Sequence, residues 1–188
     1  MKFAILFPGQ GSQKVGMGLD LIEKSPKAKE LFKILDNLAK RDLSNIFLNG
    51  PQDELNQTKN TQPSIITVSI ALAQLLDEKL KEKKLSLDIV GTCGHSLGEL
   101  TALWYSNVLS LGDTINLVLL RGELMQNAPS GAMAAVLNLN LNQIENLLNE
   151  DSFKGKIIIA NYNTPNQFVI SGEKSAFETI PERVKALG

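Results

Sequence analysis

The sequence is short of the residues that most often cross-link a chain or hold a metal. Its 188 residues include one cysteine, Cys93, and one histidine, His95. A lone cysteine excludes an internal disulfide and is the usage of a reducing compartment. No His/Cys/Asp/Glu set stands at ligand spacing, so no metal is expected. Charge of one sign is lacking too. Nineteen basic against twenty acidic residues leave a formal charge of −1, which offers no general field for nucleic acid. No apolar run approaches the length of a membrane span. The first run, Phe3-Ala-Ile-Leu-Phe7, stops at Pro8-Gly9 and is too short for the core of a signal peptide. A Walker loop, a dinucleotide fingerprint, an internal repeat and a low-complexity tract are all missing. At 43% hydrophobic and 21% charged, the chain can build a packed core. Its length suits one domain and a small second one. A soluble cytoplasmic protein without membrane or nucleic-acid partners is the expectation.

The most informative stretch is Val90-Gly-Thr-Cys-Gly-His-Ser-Leu-Gly-Glu99. It contains Gly94-His-Ser-Leu-Gly98, a G-x-S-x-G pentapeptide, preceded by the apolar pair Ile89-Val90 and followed by a helical pattern. Three fixed positions in five are a weak signal alone. Strand before and helix after make it the context of a nucleophile elbow, a tight strand-to-helix turn that projects a serine hydroxyl. Glycines at 94 and 98 let neighbouring backbone approach. Ser96 is then the candidate nucleophile. The Leu97 N–H, at the start of the next helix, is placed to stabilise an oxyanion.

Phe3 to Phe7 reads as a buried strand of a parallel sheet. Pro8-Gly-Gln-Gly-Ser-Gln13 follows as a loop at that strand's carboxyl end, the edge where open parallel sheets bind ligands. Gln10 there offers a backbone N–H and an amide; the alternative is an ordinary strand-ending turn. Pro26 to Ala39 has helical spacing. Asn45 to Asn60 reads as a polar loop with a short helix. Thr61-Gln62-Pro63 opens a strongly apolar helix expected to lie deep against the sheet. Its basic end, Lys79 to Lys84, reads as a solvated helix terminus. Trp104 reads as core. Ser110-Leu-Gly-Asp113 resembles a capping box and starts an apolar helix in which Arg121 stands alone. Such an arginine is either paired with an acid or free for an anion. Cys93 reads as a small buried residue, and Glu99 as a first-turn acid suited to the helix dipole.

From Gly131 the pattern is β-α-β-β-α. Strands are expected at 132–137, 156–160 and 167–171, with a turn at 161–166. Helices are expected at 141–148 and 175–187. A ferredoxin-like unit is β-α-β-β-α-β, so this one lacks its last strand. The missing strand predicts an open sheet edge and a tendency to associate.

Taken together, Phe7-Pro-Gly-Gln-Gly-Ser-Gln13, Gly94-His-Ser-Leu-Gly-Glu99, Arg121-Gly122, Gly131-Ala-Met-Ala-Ala135 and Asn161 through Gly172 resemble the malonyl-CoA:acyl carrier protein transacylases, acyltransferases of fatty-acid and polyketide synthesis. The resemblance covers essentially the whole chain. It implies an α/β fold: an α/β-hydrolase-like parallel-sheet core (1–128) with an inserted ferredoxin-like α+β subdomain (129–188), both incomplete in this chain. It implies transfer of malonyl from coenzyme A to the phosphopantetheine thiol of acyl carrier protein through an acyl-serine. Coenzyme A thioester is then a substrate, and no cofactor is called for. Ser96 would be the nucleophile, the Gln10 and Leu97 N–H groups the oxyanion hole, and Arg121 the malonyl carboxylate clamp.

The chain departs from the family at one point. The resemblance implies a catalytic histidine beyond the inserted subdomain, and that base is not present in this chain. His95 precedes the serine, and neighbouring side chains on a sharp turn point apart. Three readings stay open on this ground: an amino-terminal part of a longer protein, a chain completed by another, or a degenerate form. Functionally, the transacylase reading stands beside a binding module without a base, and beside a serine hydrolase or thioesterase.

Overall fold

The computed structural model describes residues 1–187. The chain divides into two compact units, one spanning Met1–Asn127 and a second beginning at Ala128.

The first unit opens with β1 (Lys2–Phe7). After the Gly-rich loop come α1 (Leu19–Lys24) and α2 (Pro26–Ala39). Helix α2 begins where the sequence places it, for local reasons. The Ser25 hydroxyl accepts from the Ala28 N–H, and Pro26 occupies the first helical position, where its missing N–H costs nothing. Its buried stripe is Ala28, Leu31, Phe32 and Leu35. The segment expected as a loop holds two short helices, α3 (Leu43–Asn49) and α4 (Gln52–Leu55). Leu43, Ile46, Phe47 and Leu55 supply buried contacts that the polar composition conceals.

Helix α5 (Thr58–Glu82) starts three residues before Thr61, so Pro63 lies inside it. A proline there leaves the carbonyl four residues back without its helical donor. That carbonyl, Lys59 O, accepts instead from Arg41 Nη2 at 3.0 Å. The early part of α5 is buried all round, from Asn60 to Ala71. It packs chiefly against other helices, α2 and the later α7 (Leu111–Gln126), rather than flush on the sheet. Only around Ala73 does it join a small cluster with Phe7 and Ala102.

Strand β2 (Asp88–Gly94) pairs parallel with β1, Phe7 opposite Gly94, and leads through the elbow into α6 (Gly98–Tyr105). The expectation of a buried strand fails here. Phe7 is the one buried side chain of β1. The sheet has two strands among the described residues, so Leu6 and Val90 stay exposed. Cys93, expected to be buried, is exposed for the same reason. Helix α7 is capped by the Ser110 hydroxyl, which accepts from the Asp113 N–H and donates to its carboxylate at 2.6 Å. Trp104 is half-buried, packed against the helical core and edge-on to Tyr105.

The second unit contains β3 (Ala132–Leu137), α8 (Leu141–Leu148), β4 (Ile157–Thr164), β5 (Gln167–Gly172), a 3₁₀ turn (Lys174–Phe177) and α9 (Ile180–Leu187). Strand order is β3-β5-β4, all antiparallel, so α8 joins two strands that flank a third. This is the split arrangement of a ferredoxin-like unit. Val136, Ile144, Phe153, Phe168 and Ile170 form its core. Two expectations are corrected. The predicted turn over 161–166 is mostly strand: Asn161 faces Val169 and Tyr162 faces Phe168, leaving a tight Pro165-Asn166 connection. An edge strand tolerates such polar residues. The predicted helix over 175–187 is broken, because Pro181 has no N–H for Phe177 O. Proline is well placed in the first turn of α9.

No helix among the described residues is long and apolar enough to cross a membrane. Nor does any group of three His, Cys, Asp or Glu side chains there stand ready for a metal ion.

Candidate active site

Parallel pairing of β1 with β2 sets their carboxyl ends side by side. The His95 N–H extends the pairing by donating to Phe7 O at 3.1 Å. The loop carrying Gln10 and the turn carrying Ser96 therefore leave the sheet together.

Ser96 sits in the left-handed region at φ 50°, between the end of β2 and the first turn of α6. For an L-residue this conformation costs about 1–2 kcal/mol. Two glycines make the turn possible by close approach. A Cβ on Gly94 would stand 2.0 Å from the carbonyl carbon of Gly98, and one on Gly98 would stand 2.3 Å from Phe7 O. Helix α6 then starts by two short bonds, Gly98 N–H to His95 O at 2.9 Å and Glu99 N–H to Ser96 O at 3.1 Å. Neither the Gln10 nor the Leu97 N–H donates to a backbone carbonyl among the described residues.

The Ser96 hydroxyl is half-buried and accepts from Arg121 Nη2 at 3.1 Å. Arg121 Nη1 donates to Gln62 Oε1 at 2.6 Å. Gln62 Nε2 in turn reaches Gln10 Oε1 at 3.4 Å, and Gln10 Nε2 reaches Thr58 Oγ1 at 3.3 Å. One hydrogen-bonded chain thus joins the β1 loop, α5, α7 and the elbow. Arg121 has no carboxylate within 4.0 Å among the described residues. Of the two possibilities the sequence left open, an acid partner is not the one found. The guanidinium is held by neutral oxygens alone, and charge-assisted pairing with an anion stays open to it. Beside it, Leu100, Leu117, Leu120, Leu124 and Met125 line an apolar cavity of about 400 Å³.

Gln62 is the residue that sequence reading passed over. It is fully buried, yet within Thr61-Gln62-Pro63 it reads as helix entry. The available signal was an amide inside a run otherwise apolar over more than one face. His95 behaves as expected of a neighbour on a sharp turn: it is exposed, and its ring makes no hydrogen bond to Ser96. Glu99 is exposed in the first turn of α6. Away from the site, Tyr105 donates to Asp77 at 2.9 Å. Burial pushes its phenol up to about 12, helped by that bond and by the Asp77 charge.

A serine hydroxyl at a helix start, with two N–H groups that meet no backbone carbonyl and a guanidinium that meets no carboxylate among the described residues, suits an ester whose acyl group is negatively charged. Comparison with known proteins agrees in kind. Residues 4–188 match the acyl transferase domain family. The whole chain is 40% identical to the malonyl CoA-acyl carrier protein transacylase of Bacillus subtilis. It also superposes on the acyl carrier protein S-malonyltransferase of Vibrio cholerae, with TM-score 0.87, 38% identity and 61% of that chain covered. A malonyl-transacylase solved in complex with its type II PKS acyl-carrier protein gives TM-score 0.85 at 36% identity, with 60% of it covered. The chain spans 58% of the length of the Bacillus subtilis relative. On the family match and the whole-chain identity, this chain belongs to the acyl transferase domain family.

Proposed function

We propose that the chain forms the acyl-serine in malonyl transfer from coenzyme A to the phosphopantetheine thiol of an acyl carrier protein. Ser96 Oγ attacks the thioester carbonyl, and its proton passes to the histidine base that the family resemblance implies beyond the inserted subdomain. The Gln10 and Leu97 N–H groups hold the resulting oxyanion. The C–S bond breaks, coenzyme A leaves as the thiol, and malonyl stays on Ser96 as an ester. Attack by the carrier thiol reverses these steps and frees Ser96. Arg121 holds the malonyl carboxylate throughout and so selects the acyl group. Coenzyme A enters as substrate, and the scheme uses no metal or cofactor. On this reading residues 1–128 carry the chemistry, 129–188 form the inserted subdomain, and the setting is the cytoplasm.

The observation that carries this reading is the Arg121 Nη2 contact to Ser96 Oγ at 3.1 Å, made by a guanidinium that has no acid partner among the described residues. The names of the transacylase relatives support the choice of donor and acceptor. Intact mass after brief exposure to malonyl-CoA tests it. A malonyl adduct absent from Ser96→Ala is expected. Arg121→Ala is expected to abolish the preference for malonyl over acetyl. A preference that survives Arg121→Ala refutes the clamp and favours a hydrolase reading. A second reading has its own observation. The His95 ring makes no hydrogen bond to Ser96, and on this second reading the 188-residue chain is a module that binds malonyl-CoA without turning it over. Turnover at an ordinary enzyme rate by this chain excludes that reading.

A further inference from the structure

Arg41 stands between α2 and α3, far from Ser96 in sequence, and belongs to none of the motifs that mark the site. Its backbone is fixed on both sides: its N–H donates to Asp36 O, and its carbonyl accepts from the Leu43 N–H. Its half-buried guanidinium makes three contacts. Nη2 donates to Lys59 O at 3.0 Å, Nη1 donates to Asn60 Oδ1, and Nη2 lies 3.8 Å from Glu123 Oε1. Lys59 O is the carbonyl that Pro63 leaves without a helical donor. Lys59 and Asn60 precede Gln62 by one turn or less, and Glu123 follows Arg121 by two residues. At the same crossing Gly122 admits the backbone of α5, where an added Cβ would meet Lys59 Cα at 3.1 Å. The crossing of α5 and α7 is what sets the Gln62–Arg121 bond.

We infer that Arg41 is a positioning residue. It ties the start of α5 to α7 and thereby fixes where Arg121 presents its guanidinium beside Ser96. The inference rests on the reading of Arg121 as a carboxylate clamp and extends it to a residue outside the site. A forked guanidinium can serve both α5 acceptors while facing Glu123; an ammonium is a point charge and cannot. Without Arg41 the Lys59 carbonyl loses its partner, the crossing loosens, and the guanidinium loses its fixed direction. Discrimination of a carboxylate from a methyl group, which depends on that direction, falls before binding of the rest of the ligand does.

The test is the ratio of malonyl-CoA to acetyl-CoA affinity, measured by calorimetry on the full chain carrying Ser96→Ala so that no acyl group transfers. The ratio is indifferent to a fraction of unfolded protein, which lowers binding of both ligands alike. Arg41→Ala is expected to lower it about five- to tenfold, within the range for coupled neighbours. Arg41→Lys is expected to fall between that variant and the parent. Glu123→Gln keeps the α5 contacts and is expected to lower the ratio about twofold to threefold. An unchanged ratio in Arg41→Ala overturns the inference; if that variant does not fold, an unchanged ratio in Glu123→Gln does so. Arg121→Ala separates the two levels. A ratio that survives it refutes the clamp itself, whereas a ratio lost there but kept in Arg41→Ala refutes the role of Arg41 alone.

Discussion

Replacing Gly98 with alanine tests the elbow and the oxyanion geometry in one step. The added Cβ would lie 2.3 Å from Phe7 O and 2.9 Å from Pro8 O. Both are backbone atoms at the end of β1, so no side chain can swing aside. Ordinary contact requires the elbow and the β1 loop to part by about 1 Å. Two consequences follow. Overpacking of this kind costs about 1–3 kcal/mol. The displacement also moves Gln10 relative to Ser96, and a misplacement of about 1 Å lowers a reaction rate by about a hundredfold. Urea unfolding followed by the single tryptophan, Trp104, reads the first quantity. The rate of malonyl adduct formation reads the second. Gly91 in β2, the strand before the elbow, is the control, because its Cβ would meet nothing within 4 Å. Gly91→Ala is expected to match the parent in both assays. Parental stability and acylation in Gly98→Ala would show that β1 and the elbow are not packed as described.

Three further outcomes are expected. Gln62→Leu removes the acceptor of Arg121 Nη1 and leaves a donor short of a partner in a half-buried setting. Loss of about 1–3 kcal/mol in urea is expected, and no loss would mean that the Gln62–Arg121 bond is not maintained in solution. Tyr105 ionises late because its neutral form is favoured in the fold. The stability it adds is complete below its ordinary value of 10.0 and is lost as pH rises through about 12. An ultraviolet tyrosinate titration should lose its highest component in Tyr105→Phe and show it lowered in Asp77→Asn; a profile unaltered by either change refutes the assignment. Asn140 accepts from the Gln143 N–H at 3.0 Å and Gln143 Oε1 accepts from the Asn140 N–H at 2.9 Å. Asn140→Ala should weaken protection against hydrogen exchange over 141–148 by about 1 kcal/mol, and unchanged protection there counts against the cap.

Local signals were legible where they are complete within a few residues. Ser110, read as a capping residue, caps α7, and α2 and α8 start at Pro26 and Leu141 as their spacing predicts, with Ser25 and Asn140 as the caps that spacing alone did not point to. The pentapeptide named Ser96, and its positive φ is what a strand-to-helix turn of this length requires. Ser96, Arg121 and Gln10 were each singled out from sequence, and the fold joins them through Gln62. What the sequence hides is decided at a distance. Pro63 reads as the opening of α5 because prolines favour first turns; the helix starts earlier because Arg41, more than twenty positions back, accepts the duty of the missing N–H. Gln62 is polar by composition and buried by packing. The exposure of Leu6, Val90 and Cys93 is likewise not a property of their own residues. It follows from how many strands flank β1 and β2, which no alternation pattern within either strand encodes.

The backbone at position 96 has a consequence for anyone redesigning this scaffold. A procedure that fits residue types to local geometry alone would write glycine there, since a left-handed φ of 50° is comfortable for glycine and costly for serine. Sequences optimised for foldability would drift away from the hydroxyl, and the guanidinium beside it would be left facing a gap. Position 96 therefore has to be held fixed in any such exercise. A mismatch between residue type and backbone preference can serve, in scaffolds of this kind, as a marker of where chemistry has overridden comfort.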